Sequence, residues 1–180
     1  SALWWREAIG ESESAAQKAV ELAPNDPSVY MAAAQVARRA GRPEEAVQHT
    51  TRAIELDPSL ERAHFTRAEA YADLNNWEEA IEDYSTAIRL NGRYARAYAG
   101  RGKVRLSQGD EQAALADLDK ALELRPRLAD AWLAKAQAHQ ALGHNVKAAK
   151  AYREFIKLAP DAGLDHLVPK AEEELQDLDV

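Results

Sequence analysis

The stretch NNWEEAIEDYSTAIRL, residues 75–90, has the spacing of one amphipathic helix. Asn76 is followed three residues later by Glu79, the pattern of a capping box, which predicts that the helix begins here with its first amides bonded to these side chains. The apolar residues share one stripe of a 3.6-residue helix: Ala80, Ile81, Tyr84, Ala87 and Ile88. This stripe is predicted to be buried against other helices.

The same rhythm returns elsewhere in the chain, as GRPEEAVQHTTRAIELDP (41–58), GDEQAALADLDKALELRP (109–126) and GHNVKAAKAYREFIKLAP (143–160). Two sets of positions recur with a constant 34-residue period: Pro58, Gly92, Pro126 and Pro160, and Ala46, Ala80, Ala114 and Ala148. Such a period indicates a repeat architecture. The chain therefore divides into the units 27–60, 61–94, 95–128 and 129–162, each with two helical segments. A short breaker joins the two segments of each unit: Gly41-Arg42-Pro43, Asn75-Asn76-Trp77, Gly109-Asp110-Glu111 and Gly143-His144-Asn145.

The flanking segments are predicted to be caps, 1–26 before the repeats and 163–180 after them. Residues 13–23 resemble a lone second helix that begins with Ser14 as its N-cap. Trp4 and Trp5 are expected to cover the exposed edge of the first hairpin, or else to contact a preceding domain. At the other end, Pro169 is expected to break or kink a helix with this apolar stripe: Leu164, Leu167, Val168, Ala171, Leu175 and Leu178.

Composition excludes several classes of protein. The chain has 180 residues with 46% hydrophobic content and few aromatic residues beside abundant alanine, which predicts an all-α fold with closely packed helices. A net charge of −7 argues against a nucleic-acid partner. Cysteine is absent, so disulfides and thiolate sites are excluded, and no apolar run reaches the roughly 20 residues that span a bilayer. The chain starts at Ser1, so a longer parent protein is one interpretation.

No catalytic residue, cofactor or metal site is predicted. AGRGKV (99–104) lacks the glycine and the Ser or Thr that a phosphate-binding loop requires, since Ala97 and Val104 stand at those positions. Pairs such as Glu44 and Glu45 open helices, where they complement the helix dipole without acid–base chemistry. The histidines lack the i, i+4 spacing of a helical metal site: His49, His64, His139, His144 and His166.

Further positions agree in phase among the units. Small residues recur in the first helix at Ala34, Ala68, Gly102 and Ala136, aromatic residues at Tyr30, Tyr98 and Trp132, and late alanines in the second helix at Ala53, Ala87 and Ala121. Over residues 27–162 this pattern resembles the tetratricopeptide repeat family. The resemblance implies a right-handed α-solenoid of stacked antiparallel helix hairpins. The chain departs from the family pattern at His64, Gly92 and Phe155.

The same resemblance raises a question about three charged positions. Arg67, Arg101 and Lys135 stand where the family usually has leucine. Long basic side chains can lay their alkyl stems along apolar surface. We therefore expect the stems to cover the hairpin and the charges to reach solvent.

The family resemblance also implies a function, the binding of a peptide or an extended partner segment in a concave groove lined by the first helices. The groove candidates are Ser28, Met31, Gln35, Arg38, Arg39, Arg62, Phe65, Glu69, Asp73, Arg96, Ala99, Lys103, Ser107, Asp130, Leu133 and Gln137, with Arg93, Tyr94 and Arg127 from the turns. Their basic excess predicts an acidic or carboxylate-bearing ligand. The apolar line of Met31, Phe65, Ala99 and Leu133 is predicted to anchor it, or to belong to the hairpin core.

Some alternatives stay open. A subgroup of the family resembles a carboxylate clamp for chaperone C-termini, but this chain has Met31, Gln35, Thr66 and Gly100 at clamp positions and only Arg96 fits. Binding of a chaperone tail is therefore not predicted. The chain is interpreted as a non-catalytic interaction scaffold; the alternatives are a regulatory or targeting region of a larger enzyme, and a structural element for self-association.

Overall fold

The computed structural model describes residues 2–178, with side-chain placement from Gly10 onward. Ten α-helices and two short 3₁₀ turns make up the regular structure of this range, and it contains no β-strand. The predicted all-α fold class is confirmed.

The helices run in chain order and alternate with short connections. Their bounds are α1 Ala2–Leu22, α2 Pro27–Arg39, α3 Pro43–Leu56, α4 Glu61–Asp73, α5 Trp77–Leu90, α6 Ala95–Ser107, α7 Glu111–Leu124, α8 Ala129–Ala141, α9 Asn145–Leu158 and α10 Val168–Asp177. The 3₁₀ turns are Pro160–Ala162 and Asp165–Leu167.

Contacts divide the chain into two compact units, residues 1–92 and 93–180. In the first unit, α2 pairs with α3 and α4 pairs with α5 as helix hairpins, while α1 packs on α2 and α3 packs on α4. In the second unit, α6 pairs with α7 and α8 with α9; α7 also packs on α8, and α10 packs on α9. We refer to the first helix of a hairpin as helix A and to the second as helix B.

A left-handed residue separates the two helices of each hairpin. Gly41, Gly109 and Gly143 have φ of 73°, 78° and 70°, and Asn75 occupies the equivalent position in the second hairpin with φ of 60°. Glycine adopts this backbone region freely, and asparagine is among the residues that tolerate it best. The breakers identified in the sequence are therefore the residues that reverse the chain.

Small residues let the two helices of a hairpin approach closely. Ala34, Ala68 and Ala136 of the A helices are completely buried. So are the equivalent alanines of the B helices, Ala46, Ala80, Ala114 and Ala148. A Cβ atom built on Gly102 would lie 3.0 Å from Leu118 Cγ and 3.1 Å from the carbonyl oxygen of Ala114. The predicted close packing of helices A and B is confirmed at these positions.

One predicted helix start has the right position without the predicted capping bond, and a second is wrong. Asn76 does precede α5, but its side chain makes no capping hydrogen bond. Ser14 is not an N-cap, because α1 is one continuous helix of 21 residues that contains it. Gly10 lies inside this helix, where a single glycine costs only about 1 kcal/mol. The predicted covering role of Trp4 and Trp5 lies outside the described side chains.

The C-terminal stripe packs as predicted, but Pro169 acts differently. Ala171 and Leu178 are buried in the cluster around α9, and the other four residues of the stripe pack against it: Leu164, Leu167, Val168 and Leu175. Pro169 stands in the first turn of α10, where its missing amide has no helical partner to lose. It therefore starts a helix and does not break one.

Candidate peptide-binding surface

The first unit exposes one side of its two A helices, which we call the α2–α4 surface: Ser28, Gln35, Arg38, Arg39, Arg62, Glu69 and Asp73. Gln35, Arg39 and Arg62 are among its exposed residues. Within α2, residues 28, 35 and 39 share a face because they lie two and three turns apart. The predicted phase of the polar groove residues is thus consistent with their exposure in this unit.

Arg38 ties the two A helices of this surface together. Its Nη1 donates to Glu69 Oε2 at 2.5 Å and its Nε donates to Asp73 Oδ2 at 3.0 Å. The side chains of Arg38 and Glu69 are 27% and 30% exposed, so this pair is partly shielded from solvent. Arg38 is therefore occupied by internal carboxylates and contributes little free positive charge to a ligand.

Two other arginines of the α2–α4 surface are differently placed. Arg39, at the end of α2, and Arg62, in the first turn of α4, are both exposed. Neither forms a hydrogen bond or an ion pair with any side chain in the described range 10–178. These two guanidinium groups are the cations that this surface presents to solvent.

The second unit has a similar exposed side, the α6–α8 surface: Arg96, Lys103, Ser107, Asp130 and Gln137. Lys103 Nζ donates to Asp130 Oδ2 at 2.8 Å, so these two charges offset each other. Arg96 is exposed and has no hydrogen-bond partner among the described residues. It stands one repeat period after Arg62, at the equivalent position of its helix.

The predicted turn residues lie beside these helices. Arg127 donates through Nη2 to Asp161 Oδ2 at 2.7 Å. Tyr94 is the N-cap residue of α6, and Arg93 is exposed immediately before it. Among the predicted groove cations, Arg38, Lys103 and Arg127 are thus each bonded to a carboxylate. These pairs leave fewer cations available to a ligand than the number of basic residues in the sequence indicates.

The predicted apolar line is not an exposed strip. Met31 is only 8% exposed and packs with Ala53 and Ala63 between helices. Ala99 is 1% exposed. The ring of Phe65 is half-buried, with its centroid 5.8 Å from that of Tyr84, and Leu133 packs against the core around α9. Of the two alternatives for this line, a ligand anchor or the hairpin core, the burial of Met31 and Ala99 favours the hairpin core.

The sequence also misplaced the charges of Arg67 and Arg101. The side chain of Arg67 is only 19% exposed and donates two hydrogen bonds to Asp83, Nε to Oδ2 at 2.6 Å and Nη2 to Oδ1 at 2.9 Å. Arg101 makes the same two-pronged contact with Asp117 at 2.8 and 2.7 Å. Both carboxylates are buried in helix B. Lys135, the third such residue, pairs with Asp119 at 2.6 Å.

The environment of Asp83 keeps it ionised. Burial raises the pKa of this carboxyl group, but the hydrogen bonds from Arg67 and His64 outweigh burial and hold the pKa below its usual value. His64 Nδ1 lies 3.1 Å from Asp83 Oδ1, and its Nε2 lies 3.2 Å from the carbonyl oxygen of Pro58. The histidine that replaces an aromatic residue therefore has a structural partner on each ring nitrogen.

The described side chains offer no group of three or more His, Asp or Glu residues arranged to hold a metal ion. Among the helices in the described range, none is long and apolar enough to cross a bilayer. The chemistry of the α2–α4 and α6–α8 surfaces is that of exposed guanidinium, amide and hydroxyl groups, which suits hydrogen bonding to a partner.

Comparison with family models gave three matches. A TPR repeat model matches residues 68–109 and 102–143, and a tetratricopeptide repeat model matches residues 129–162. The model for subunit 3 of the anaphase-promoting complex, or cyclosome, matches residues 6–87. A search of curated protein sequences found no significant match.

Several solved structures are similar in fold. TTC0263, a thermophilic TPR protein of Thermus thermophilus, is 23% identical with a TM-score of 0.77, and the match covers 94% of this chain and 93% of that one. MamA is 21% identical with a TM-score of 0.76, over 88% of this chain and 92% of that one. The first TPR of Spaghetti (RPAP3), solved with the HSP90 peptide SRMEEVD, is 28% identical with a TM-score of 0.63, over 65% of this chain and 93% of that one.

Proposed function

The chain belongs to the tetratricopeptide repeat family, whose members serve as protein-interaction scaffolds, and we propose that its exposed A-helix surfaces bind an extended acidic segment of a partner protein. The ligand is a peptide segment with Asp or Glu side chains or a terminal carboxylate. The role is binding without catalysis.

One observation carries this proposal: Arg39 and Arg62 are exposed on the α2–α4 surface without partners among the described residues. A guanidinium group matches a carboxylate with two parallel hydrogen bonds, and such charge-assisted bonds are stronger than neutral ones. Arg38 is not proposed to bind the ligand, because its guanidinium is already bonded to Glu69 and Asp73.

The solved relative supports the chemical class of the ligand. The RPAP3 repeat is 28% identical to this chain, and its bound peptide SRMEEVD contains two glutamates and one aspartate. The HSP90 peptide itself is not the proposed ligand of this chain, since only Arg96 fits the clamp pattern of proteins that bind chaperone tails. What we infer is an acidic segment read mainly by arginine.

Binding of synthetic peptides tests the ligand class. Peptides rich in Asp and Glu are immobilised beside versions in which each acid is replaced by its amide, and the 1–180 chain is applied at low and at high salt. We expect the acidic peptides to retain the chain and the amide versions to lose it, with retention weakened by salt, since exposed charges are screened over about 8–10 Å near physiological ionic strength. Equal retention of both sets would contradict the proposed ligand.

A further inference from the structure

The buried ion pairs of the second and third hairpins occupy a repeated position. Arg67 of α4 lies between two B helices, donating to Asp83 of α5 and, through Nη1, to Thr51 Oγ1 of α3 at 3.2 Å. Arg101 of α6 is its equivalent one repeat later and bonds Asp117 of α7. In both hairpins a long cationic side chain fills the space between helix A and its own helix B.

The first hairpin has short residues at this position. One repeat period earlier in the chain, the positions of Thr51, Arg67 and Asp83 are occupied by Gln17, Ala33 and His49. One turn further along helix A, Ala37 stands where the later hairpins have Tyr71, Arg105 and His139. Two alanines of α2 thus replace side chains that are long in every later hairpin.

A cavity lies at this place. It has a volume of about 470 Å³, and Gln17, Ala33, Ala37 and His49 are all among the residues that line it. The helices around it are α1, α2 and α3, all of the first unit. Its position follows from the missing side chains, since Gln17, Ala33 and His49 are the equivalents of the three residues joined by hydrogen bonds in the second hairpin.

The charges around the cavity favour a cation. Glu13 and Glu45 line it together with Arg42, and Arg42 forms ion pairs with both carboxylates. Burial lowers the pKa of His49 below its ordinary value, with Glu45 opposing the shift, so the imidazole is neutral at pH 7. Two carboxylates therefore share one guanidinium, which leaves one negative charge unbalanced at this site.

We propose that this cavity binds an arginine side chain of a partner protein, in the place that Arg67 and Arg101 fill within their own hairpins. The aliphatic part of the bound arginine would contact Ala16 and Val36, which are half-buried apolar residues of the lining, above Ala33 and Ala37. Its guanidinium would donate to the carboxylates of Glu13 and Glu45 and to the side-chain oxygen of Gln17. The equivalence with Arg67 and Arg101 predicts the length of the bound side chain, and the carboxylates of Glu13 and Glu45 predict its positive charge.

This site is separate from the α2–α4 surface. On α2, Ala33 and Ala37 are one turn apart on one face, whereas Gln35 and Arg39 lie on roughly the opposite face at about 100° per residue. The two sites also differ in sign, since the cavity offers carboxylates and the surface offers arginines. Loss of acidic-peptide binding and loss of arginine binding can therefore be observed independently.

The probe is the short peptide acetyl-Gly-Arg-Gly-amide, compared with the same peptide carrying citrulline, which keeps the shape of arginine but is neutral. Titration followed by nuclear magnetic resonance should shift signals of Gln17, Ala33 and His49 with the arginyl peptide. A single side chain is expected to bind with a Kd of order 1 mM, and citrulline should bind at least about tenfold more weakly. Equal shifts with both peptides, or no shift with the arginyl peptide, would overturn the proposal.

A second experiment fills the cavity with a side chain of the protein itself. The variant Ala33→Arg with His49→Asp rebuilds the arrangement of Arg67 and Asp83, so it should keep the melting temperature of the parent and lose the arginyl shifts. Arg153→Glu, at an exposed position of the second unit, is the control that should keep them. A folded double variant that still binds the probe, or one that fails to fold, would show that the cavity is not the equivalent of the Arg67 site.

Discussion

Gly102 stands where α6 and α7 approach so closely that a Cβ atom would require its neighbours to move. The A helices of the other hairpins have alanine at this position, and those alanines are fully buried. At Gly102 an added Cβ would meet Leu118 Cγ at 3.0 Å, the carbonyl oxygen of Ala114 at 3.1 Å and Asp117 Cβ at 3.3 Å. The third hairpin is thus packed more tightly than a sequence comparison with its neighbours suggests.

Replacement of this glycine tests the packing. Gly102→Ala should lower the free energy of unfolding by about 1–3 kcal/mol, because atoms of Ala114, Asp117 and Leu118 would have to move to admit the new methyl group. Gly92→Ala is the matched control, since its nearest contact would be a carbonyl oxygen at 4.0 Å. Urea denaturation of the two variants gives the comparison, and equal midpoints for Gly102→Ala and the parent would be incompatible with this packing.

The ion-pair partners of Arg67 and Arg101 could not be predicted from the sequence. The repeat register identified Arg67 and Arg101 as unusual, but their partners Asp83 and Asp117 lie on the facing helix of the hairpin. Periodicity along one helix reports which face a residue occupies. It does not report which side chain on another helix meets it, so solvent exposure was the expectation and a buried ion pair is the finding.

At the scale of the helix hairpin, the ion pair between Arg67 and Asp83 joins helices A and B of the second hairpin. Removal of one partner leaves a charge in a partly buried site, which typically costs several kcal/mol, whereas replacement of both by apolar residues is often close to neutral. We predict that Asp83→Ala alone lowers the free energy of unfolding by roughly 2–4 kcal/mol. Arg67→Leu together with Asp83→Ala should recover at least half of this loss.

A double-mutant cycle measured by chemical denaturation checks the prediction, with Arg67→Leu as its fourth corner. The coupling between the two sites should be substantial, since residues in direct contact are generally not additive. If the loss of unfolding free energy in the double variant equals the sum of the losses in the two single variants, the result would contradict an interaction between Arg67 and Asp83.

The fourth hairpin is predicted to be sensitive to pH through His139. Its ring is buried, Nδ1 has no hydrogen-bond partner among the described groups, and the ring centroid lies 5.7 Å from that of His144. Burial lowers the pKa of His139, and the positive charges of Lys135 and Lys147 and the nearby His144 lower it further, with Asp119 opposing. The folded state therefore favours the neutral form of this ring.

The sign of the effect follows from this shift. A histidine whose pKa is lowered by folding stabilises the protein fully above its unfolded pKa of about 6.5, and stability declines as the pH falls below that value. We expect the melting temperature to fall between pH 7 and pH 5, and to fall less in His139→Gln. An identical pH dependence in the parent and the variant would exclude His139 as the cause.

The helical segments were more predictable than their ends. Breakers with Gly or Asn and the regular alanines located the hairpins, because left-handed turns and close contacts each require particular residues. The length of α1 and the start of α10 were not predictable in the same way. Gly10 is tolerated inside a helix and Pro169 is accommodated in a first turn, so each residue is compatible with two local structures.

For the molecule as a whole, net charge and local charge point in different directions. The chain has a formal charge of −7, yet the cations without internal partners on the α2–α4 surface are Arg39 and Arg62, within the part of the chain whose side chains are described. The sequence identified these arginines among the groove candidates. What it could not show is which cations are already bonded: Arg38 and Lys103 bond acidic residues of the same candidate set, and Arg127 bonds Asp161, which was not among the candidates.

Charge reversal of the α2–α4 surface is the most direct test that this surface binds an acidic segment. A fluorescent acidic peptide is titrated into the parent, into Arg39→Glu/Arg62→Glu, and into Lys18→Glu/Arg153→Glu, which changes the net charge equally at two exposed positions outside this surface. Fluorescence anisotropy should show at least about a tenfold weaker Kd for the first variant, since a hydrogen bond to a charged group contributes about 1.5–3 kcal/mol. The control should remain near the parent, and all three proteins should keep the same helical circular dichroism. Unchanged affinity in Arg39→Glu/Arg62→Glu, or an equal loss in the control, would contradict the account.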